Sequence, residues 1–479
     1  MTRHPQVQRP FPRAFRRRAF LAGAAALSLA GCGGGELLAL IPGVGTGGTG
    51  IVAGVVTGLG SVFVDGRRYD DSQAAIEHLP DLLRTQALAW SDLRLGQYVY
   101  LHVDAQGTPT RVRLESQLVG PAAQVTGDRF TVWGQPVAVN ADPGAGPVTI
   151  FSGLSGLGEL APLDAVQVYG VLQVDSADAS RDIIRATRVE RIAREALPAR
   201  ITGHLRPGGG TWSLGGVPLG TEQIANLVQQ GTLAAGTAVT VVVPWPGDPG
   251  VLPGRWTPSS MQRVGSPRFA ADRLRVSGAA QPLSGTTMLV QGVSIDLSHP
   301  DLAAARAAVA PGSYVTVDGA LDPATGQLAA STLELMPRGG RPMELLGSVT
   351  EVLGAGMFVV RGQRVDATRA QFAGGTAAMM AVGRYVEVAG AAAGWVLAAD
   401  RVTMSSALPE QAVLDLTGTV QSADSATRTV HLLLASGETV AVSLGGMMSM
   451  PRAGDTIRVA GYWRGGVLQV REMSRTGMM

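Results

Sequence analysis

The side chains in this 479-residue chain that could carry out chemistry are few and widely scattered. Five histidines follow the first forty residues: His78, His102, His204, His299 and His431. No two share a motif, and there is no His-Glu-x-x-His pair to hold zinc from one helix face. The single cysteine, Cys32, excludes a thiolate zinc site and any disulfide within the chain. All 39 basic residues are arginine, so a phosphate-binding Gly-Lys-Ser/Thr loop is excluded outright. No Gly-x-Ser-x-Gly elbow is present. Asp318, Asp322 and Asp400 fall on turns, without the ligand spacing of a calcium loop. Asp and Glu are spread too evenly to nominate a general acid and base. No catalytic residue, metal or cofactor is therefore expected. Two tryptophans are the candidate ligand-contacting residues. Trp245 and Trp256 lie in the Pro/Gly-rich stretch from Pro244 to Pro258, which reads as a long loop, and loop aromatics can stack on sugars. The same composition also fits plain loop packing.

Cys32 has a definite context. Arg16-Arg17-Arg18 opens a basic-then-apolar segment, and Phe20 to Gly31 is too short for a permanent membrane span. The segment ends in Leu29-Ala30-Gly31-Cys32. This resembles a bacterial lipoprotein signal, with residues 1–31 removed and Cys32 lipid-modified as the first mature residue. Arg17-Arg18-x-Phe20-Leu21 also resembles a twin-arginine export signal. The resemblance implies a membrane partner through Cys32. Gly33 in the next position, by the same sorting rules, implies the outer membrane. Residues 32–50 read as a flexible Gly-rich tether. Six arginines and no acids precede Cys32, and the remainder holds 33 arginines against 37 acids, a formal charge of −4. The overall basic balance belongs to the leader, which removes the electrostatic footprint of nucleic-acid binding.

The elements that must position any site are repeats. Gly96, Leu163, Gly236, Gly312, Gly383 and Gly454 recur at about 70-residue spacing. Apolar residues follow each at the third and fifth positions, from Val99/Leu101 to Ile457/Val459, on one face of a strand. Glycines two residues further on close the phrase at Gly170, Gly319, Gly390 and Gly461. Each of the first five repeats also carries an earlier hairpin turned at a glycine: Gly66, Gly134, Gly216, Gly292 and Gly362. With a further opening strand, five short antiparallel strands per unit would leave open edges unless they close into a barrel. The expectation is an all-β chain of six small antiparallel β-barrels, OB/SH3-like, strung like beads with one core each. Their bounds are 51–117, 118–196, 197–266, 267–338, 343–407 and 412–476. The first two carry insertions between hairpins. In repeat one, Ala74 to Leu83 predicts a short helix; in repeat two the Gly-rich insert runs from Ala141 to Leu160.

Gly54-Val55-Val56-Thr57-Gly58-Leu59-Gly60-Ser61-Val62-Phe63-Val64-Asp65-Gly66-Arg67-Arg68-Tyr69, and later Leu95-Gly96-Gln97-Tyr98-Val99, resemble a bacterial repeat known as domain of unknown function 5666. The resemblance is best in repeats one, four and five and looser in two and three. It implies an exported protein of tandem small β domains, and implies no activity. The leading functional expectation is a non-catalytic cell-envelope lipoprotein, anchored in the outer membrane and facing the periplasm or the surface. Its repeats would form a spacer or a binding platform for an envelope protein or polysaccharide. The alternatives are a glycan- or peptide-binding module using loops of repeats one to three, and an enzyme of unidentified type.

Overall fold

The computed structural model describes residues 50–475, apart from short segments at 176–177, 179–180, 209–210, 215–216, 220–223, 225–232, 246–255, 265–270, 283–284, 323–324, 406 and 448. The leader, Cys32 and the tether as far as residue 49 lie outside the described residues, and Gly50, the last residue expected in the tether, already belongs to the opening strand.

The chain is all-β and contains several small five-stranded barrels. Repeat six shows the plan. Its strands are Val413–Asp424, Thr429–Leu434, Thr439–Ser443, Thr456–Arg464 and Val467–Arg475. They close in the order first, second, third, fifth, fourth. Every contact is antiparallel except third on fifth, where Val442 faces Leu468 in parallel. The same ring closes in repeat two, from Leu118–Thr126 to Asp182–Arg191, in repeat four, from Arg273–Pro282 to Leu328–Leu335, and in repeat five, from Met343–Gly354 to Val396–Met404.

The repeating phrase has a backbone cause. The anchor glycines 96, 236, 312, 383 and 454 all sit at φ between 81° and 91°, and Leu163 takes the same left-handed turn at φ 71°. The residues three and five further on point into the barrels: Val99, Leu101, Val166, Val168, Val315 and Val317 are all fully buried. At the closing glycines the fourth strand bulges against the fifth. A Cβ on Gly461 would lie 2.0 Å from the Gln469 carbonyl oxygen, and one on Gly390 2.1 Å from that of Ala398. Only glycine lets the strands meet there.

In space the repeats are docked, so the bead-and-string expectation describes chain order and not spacing. The first strand, Gly50–Leu59, pairs in its own repeat with Tyr98–Val103. It also pairs in parallel with Arg273–Val276 of repeat four and with Glu344–Leu345 of repeat five. This explains its unbroken apolar run, since both faces are covered. Val52 and Val56 enter a core shared by repeats one and five, while Ile51, Ala53 and Val55 enter the core of repeat four. Repeats two and three share another core. Only repeat six keeps a core nearly to itself. The expectation of one core per unit is corrected accordingly.

The insert of repeat one is also corrected. It holds no helix over Ala74–Leu83; Ala75–His78 is a strand lying parallel to Pro109–Leu114. Ala74 and Ile76 are buried at strand spacing, and Pro80 ends the run. In repeat two, Ile150–Ser152 does the same beside the fifth strand. These strands use the flank that the extra residues create.

Candidate functional site

Of the two tryptophans nominated by sequence, Trp256 is buried and Trp245 is half-buried. Trp256 is 2% exposed and stands edge-on to Trp133 at 5.0 Å between ring centres. Trp245 meets the same Trp133 at 5.5 Å, and its Nε1 donates to the Leu197 carbonyl at 2.6 Å. They bury a seam between repeats two and three. A stacking role for Trp256 is corrected, because its faces are occupied by protein. The indole area is worth more in that seam than in water. The histidines are not brought together. His78 pairs with Gln86 at 2.9 Å, His299 caps the short turn at Pro300–Leu302, and His431 meets Ser422 at 3.1 Å. His102 is pushed down to about 4 by burial and by the charges of Arg113 and Arg111. Among the described residues no three potential ligands cluster to hold a metal.

The structure concentrates polar chemistry elsewhere, in the junctions between repeats. The densest lies where repeats one, five and six meet. Asp71, 2% exposed, accepts from Trp90 Nε1 at 3.1 Å and from Tyr462 Oη at 3.1 Å. The Trp90 and Tyr462 rings lie 4.9 Å apart. The buried Arg361 guanidinium sits 3.7 Å over the Trp90 ring. Burial holds Arg361 below the ordinary arginine value. Its stack on the indole offsets part of that desolvation. Around this centre, Arg471 donates to the carbonyls of Ser72 and Ala74 at 2.6 and 2.8 Å, and Glu472 accepts from the Ser91 amide at 2.7 Å.

A second junction joins repeats one and four. Asp65 accepts from Tyr314 Oη at 2.7 Å and from the Val55 amide at 3.1 Å. Burial pushes its carboxyl up, against the hydrogen bonds of Tyr314 and Ser277 and the charge of Arg341. Arg341 ties the Asp65 carbonyl, at 2.8 Å, to Glu334 at 2.9 Å. Nearby, Tyr98 Oη donates to the Ser277 carbonyl at 3.0 Å.

A third joins repeats two and three. Asp182, 3% exposed, accepts from the His204 amide at 2.6 Å and from Arg206 at 2.9 Å, and shares a 2.7 Å hydrogen bond with His204 Nδ1. Burial raises the Asp182 carboxyl, but these partners together outweigh it and hold it low. The Asp–His pair has the form of a catalytic orienter. Here the pair lies in the seam, joining Asp182 of repeat two to His204 of repeat three. Repeat three reaches repeat one through Arg200, which donates to the carbonyls of Leu79 and Pro80. Repeat two reaches it through Thr187 and Arg188, donating to Gly96 and Leu95 carbonyls at 2.6 and 3.0 Å. Repeat one therefore touches all five others.

Two small cavities open on these junctions, one beside Arg200 and one between Tyr100 and Gln291, each with room for about one water molecule. That leaves space to hydrate a buried polar group and none for an organic substrate. Sequence reasoning missed the junction residues because they share no chemical type. Two of them, Asp65 and Arg361, share a position, immediately before the hairpin glycine.

A domain of unknown function, DUF5666, matches residues 119–190 and 347–403. The chain thus carries tandem copies of it, in repeats two and five. Repeat two was the looser resemblance by sequence because Leu163 replaces the anchor glycine; its backbone makes the turn regardless. Among solved structures the chain is similar to Drosophila Unr CSD456 at 12% identity, covering 42% of this chain and 97% of that one, with a TM-score of 0.12. No curated protein matches the chain.

Proposed function

We propose that this protein, a docked array containing copies of DUF5666, is a non-catalytic lipoprotein of the bacterial cell envelope. Lipid on Cys32 anchors it to the outer membrane, residues 32–50 act as the tether, and the barrels form a stiff platform that presents loops to an envelope protein or polysaccharide. One observation carries the reading. The buried charged groups that could have formed an active centre, Asp65, Asp71, Asp182 and Arg361, are spent on holding one repeat against another. A protein that commits its buried polar groups to joints is built for shape.

Two measurements test this. Labelled palmitate should enter the wild-type chain in bacteria and fail to enter Cys32→Ser, which should leave the membrane fraction; equal labelling of both refutes the anchor. Purified mature protein should show no turnover on ester, glycoside or phosphate panels; saturable turnover refutes the non-catalytic reading. Glycan binding through Trp256 draws no support from its buried setting.

A further inference from the structure

We infer that in repeats one, two, four and five the residue before the hairpin glycine is an address, which selects the repeat against which that barrel docks. Four hairpins share one geometry. In repeat one the turn is Asp65-Gly66, in two Trp133-Gly134, in four Gln291-Gly292, and in five Arg361-Gly362. Both central residues have positive φ in every case: 48° and 79°, 53° and 80°, 47° and 73°, 50° and 71°. That is the two-residue turn matched to strand twist. A left-handed conformation is unfavourable for a residue with a Cβ, by about 1 kcal/mol or more. Asn or Gly would be the low-strain choice. Four unrelated side chains occupy the position instead, and all four are buried.

Each of the four lies back across a glycine of its own first strand. A Cβ on Gly54 would fall 2.0 Å from the Asp65 carboxylate, one on Gly120 1.9 Å from Trp133 Nε1, and one on Gly278 2.8 Å from Gln291 Cγ. At Gly347 the gap to Arg361 Cγ is 3.4 Å. The glycine opens a channel across the strand, and the tip side chain passes along it to a different neighbour each time. Asp65 takes the Tyr314 hydroxyl of repeat four. Trp133 packs on Trp245 and Trp256 of repeat three. Gln291 accepts from the Leu172 amide of repeat two at 2.9 Å. Arg361 stacks on Trp90 of repeat one. The turn is constant and the chemistry of its first residue varies, and partner choice varies with it. A carboxylate suits a phenol, an amide a free backbone N–H, a guanidinium an indole face. Repeat six departs: its loop is longer, and Ser436 and Gly437 at its tip are exposed.

The test uses the full chain and hydrogen exchange. Exchanging two tips, Gln291→Arg together with Arg361→Gln, keeps composition, net charge and both turns. If the side chain is the address, both joints open: exchange at Leu172 and across Trp90–Leu95 rises by about tenfold or more, while Tyr314–Leu321, addressed by Asp65, keeps its protection. Unchanged protection at both places would overturn the proposal, and so would a uniform rise through all repeats. Should the exchanged chain fail to fold, Gln291→Ala alone removes one acceptor. The Leu172 amide must then lose about tenfold protection with Trp90–Leu95 unaffected; a protected Leu172 would equally refute the idea.

Discussion

Repeats one and six follow the same strand order, yet they are stabilised in opposite ways. Repeat six closes its ring, and its core of Leu416, Val430, Leu432, Ile457, Val459 and Leu468 is joined from repeat five by Tyr385 and Leu346. Repeat one leaves its ring open between Arg67–Tyr69 and its last strand, and its core continues into repeat five. The insert that interrupts the ring supplies Asp71, Leu79, Pro80, Trp90 and Ser91 to other repeats. A domain of about 70 residues is near the lower limit for folding alone. One of the two meets that limit by closing on itself, the other by borrowing.

The largest expected difference is between isolated fragments. Residues 412–475 should unfold cooperatively by heat with a β circular-dichroism spectrum, whereas residues 51–117 should be unfolded at all temperatures. A cooperative transition in the second fragment would break the comparison. Next, Gly461→Ala in the full chain drives a methyl into the Gln469 carbonyl and should cost about 2 to 3 kcal/mol. Because repeat six closes its own ring, denaturant should reveal that loss as a separate early transition of its tryptophan, Trp463. Tyr462→Phe removes one donor from Asp71 and should cost about 1 to 2 kcal/mol. This loss should appear in the exchange of Asp71–Ala74 and leave Thr429–Ser443 unchanged.

Acid should separate the two repeats further. Hydrogen bonds from the Thr427 hydroxyl and the Ala426 and Thr427 amides lower the Asp424 carboxyl. A lowered folded value means stability that is present above the unfolded pKa and lost as pH falls, so the turn at Asp424–Arg428 should fray in acid. Burial raises Asp65. A raised folded value works the other way: the contribution is complete below the unfolded pKa and declines as pH rises through the folded one. Amide exchange at pH 3 and pH 6, corrected for intrinsic rates, should therefore show the repeat six turn loosening and the Val55 amide holding. The smallest effect concerns the anchor turn. Leu163→Gly should stabilise by about 0.5 to 1 kcal/mol, since the side chain is 52% exposed and held at φ 71°. Gly454→Leu, with open space around its Cβ position, should destabilise repeat six by a similar amount. Thermal melts of the two variants would measure both signs.

Much of the barrel plan was legible because its causes are local. A left-handed turn demands glycine, a bulged crossing demands another, and the residues between alternate in and out. The second hairpin of each unit could be read the same way from Val64-x-Gly66 or Val360-x-Gly362. Docking was not legible, because nothing periodic marks it. The parallel pairing of Gly50–Leu59 with strands of repeats four and five joins residues far apart in sequence. Its only trace was an apolar run with no polar face. The candidate site was hidden for a related reason. Asp65 and Arg361 occupy the same place in their repeats, but one is an acid and the other a base, so no motif spans them. Trp256 looked like a loop aromatic because the partner that buries it, Trp133, belongs to another repeat.

The parallel pairing of the opening strand also sets an order in time. The opening strand is made long before its two outer neighbours, which come from the fourth and fifth units. Until those arrive, Ile51–Val56 has an uncovered apolar face and a free edge, the usual template for aggregation. Later units can close as they emerge, and the opening strand can only wait.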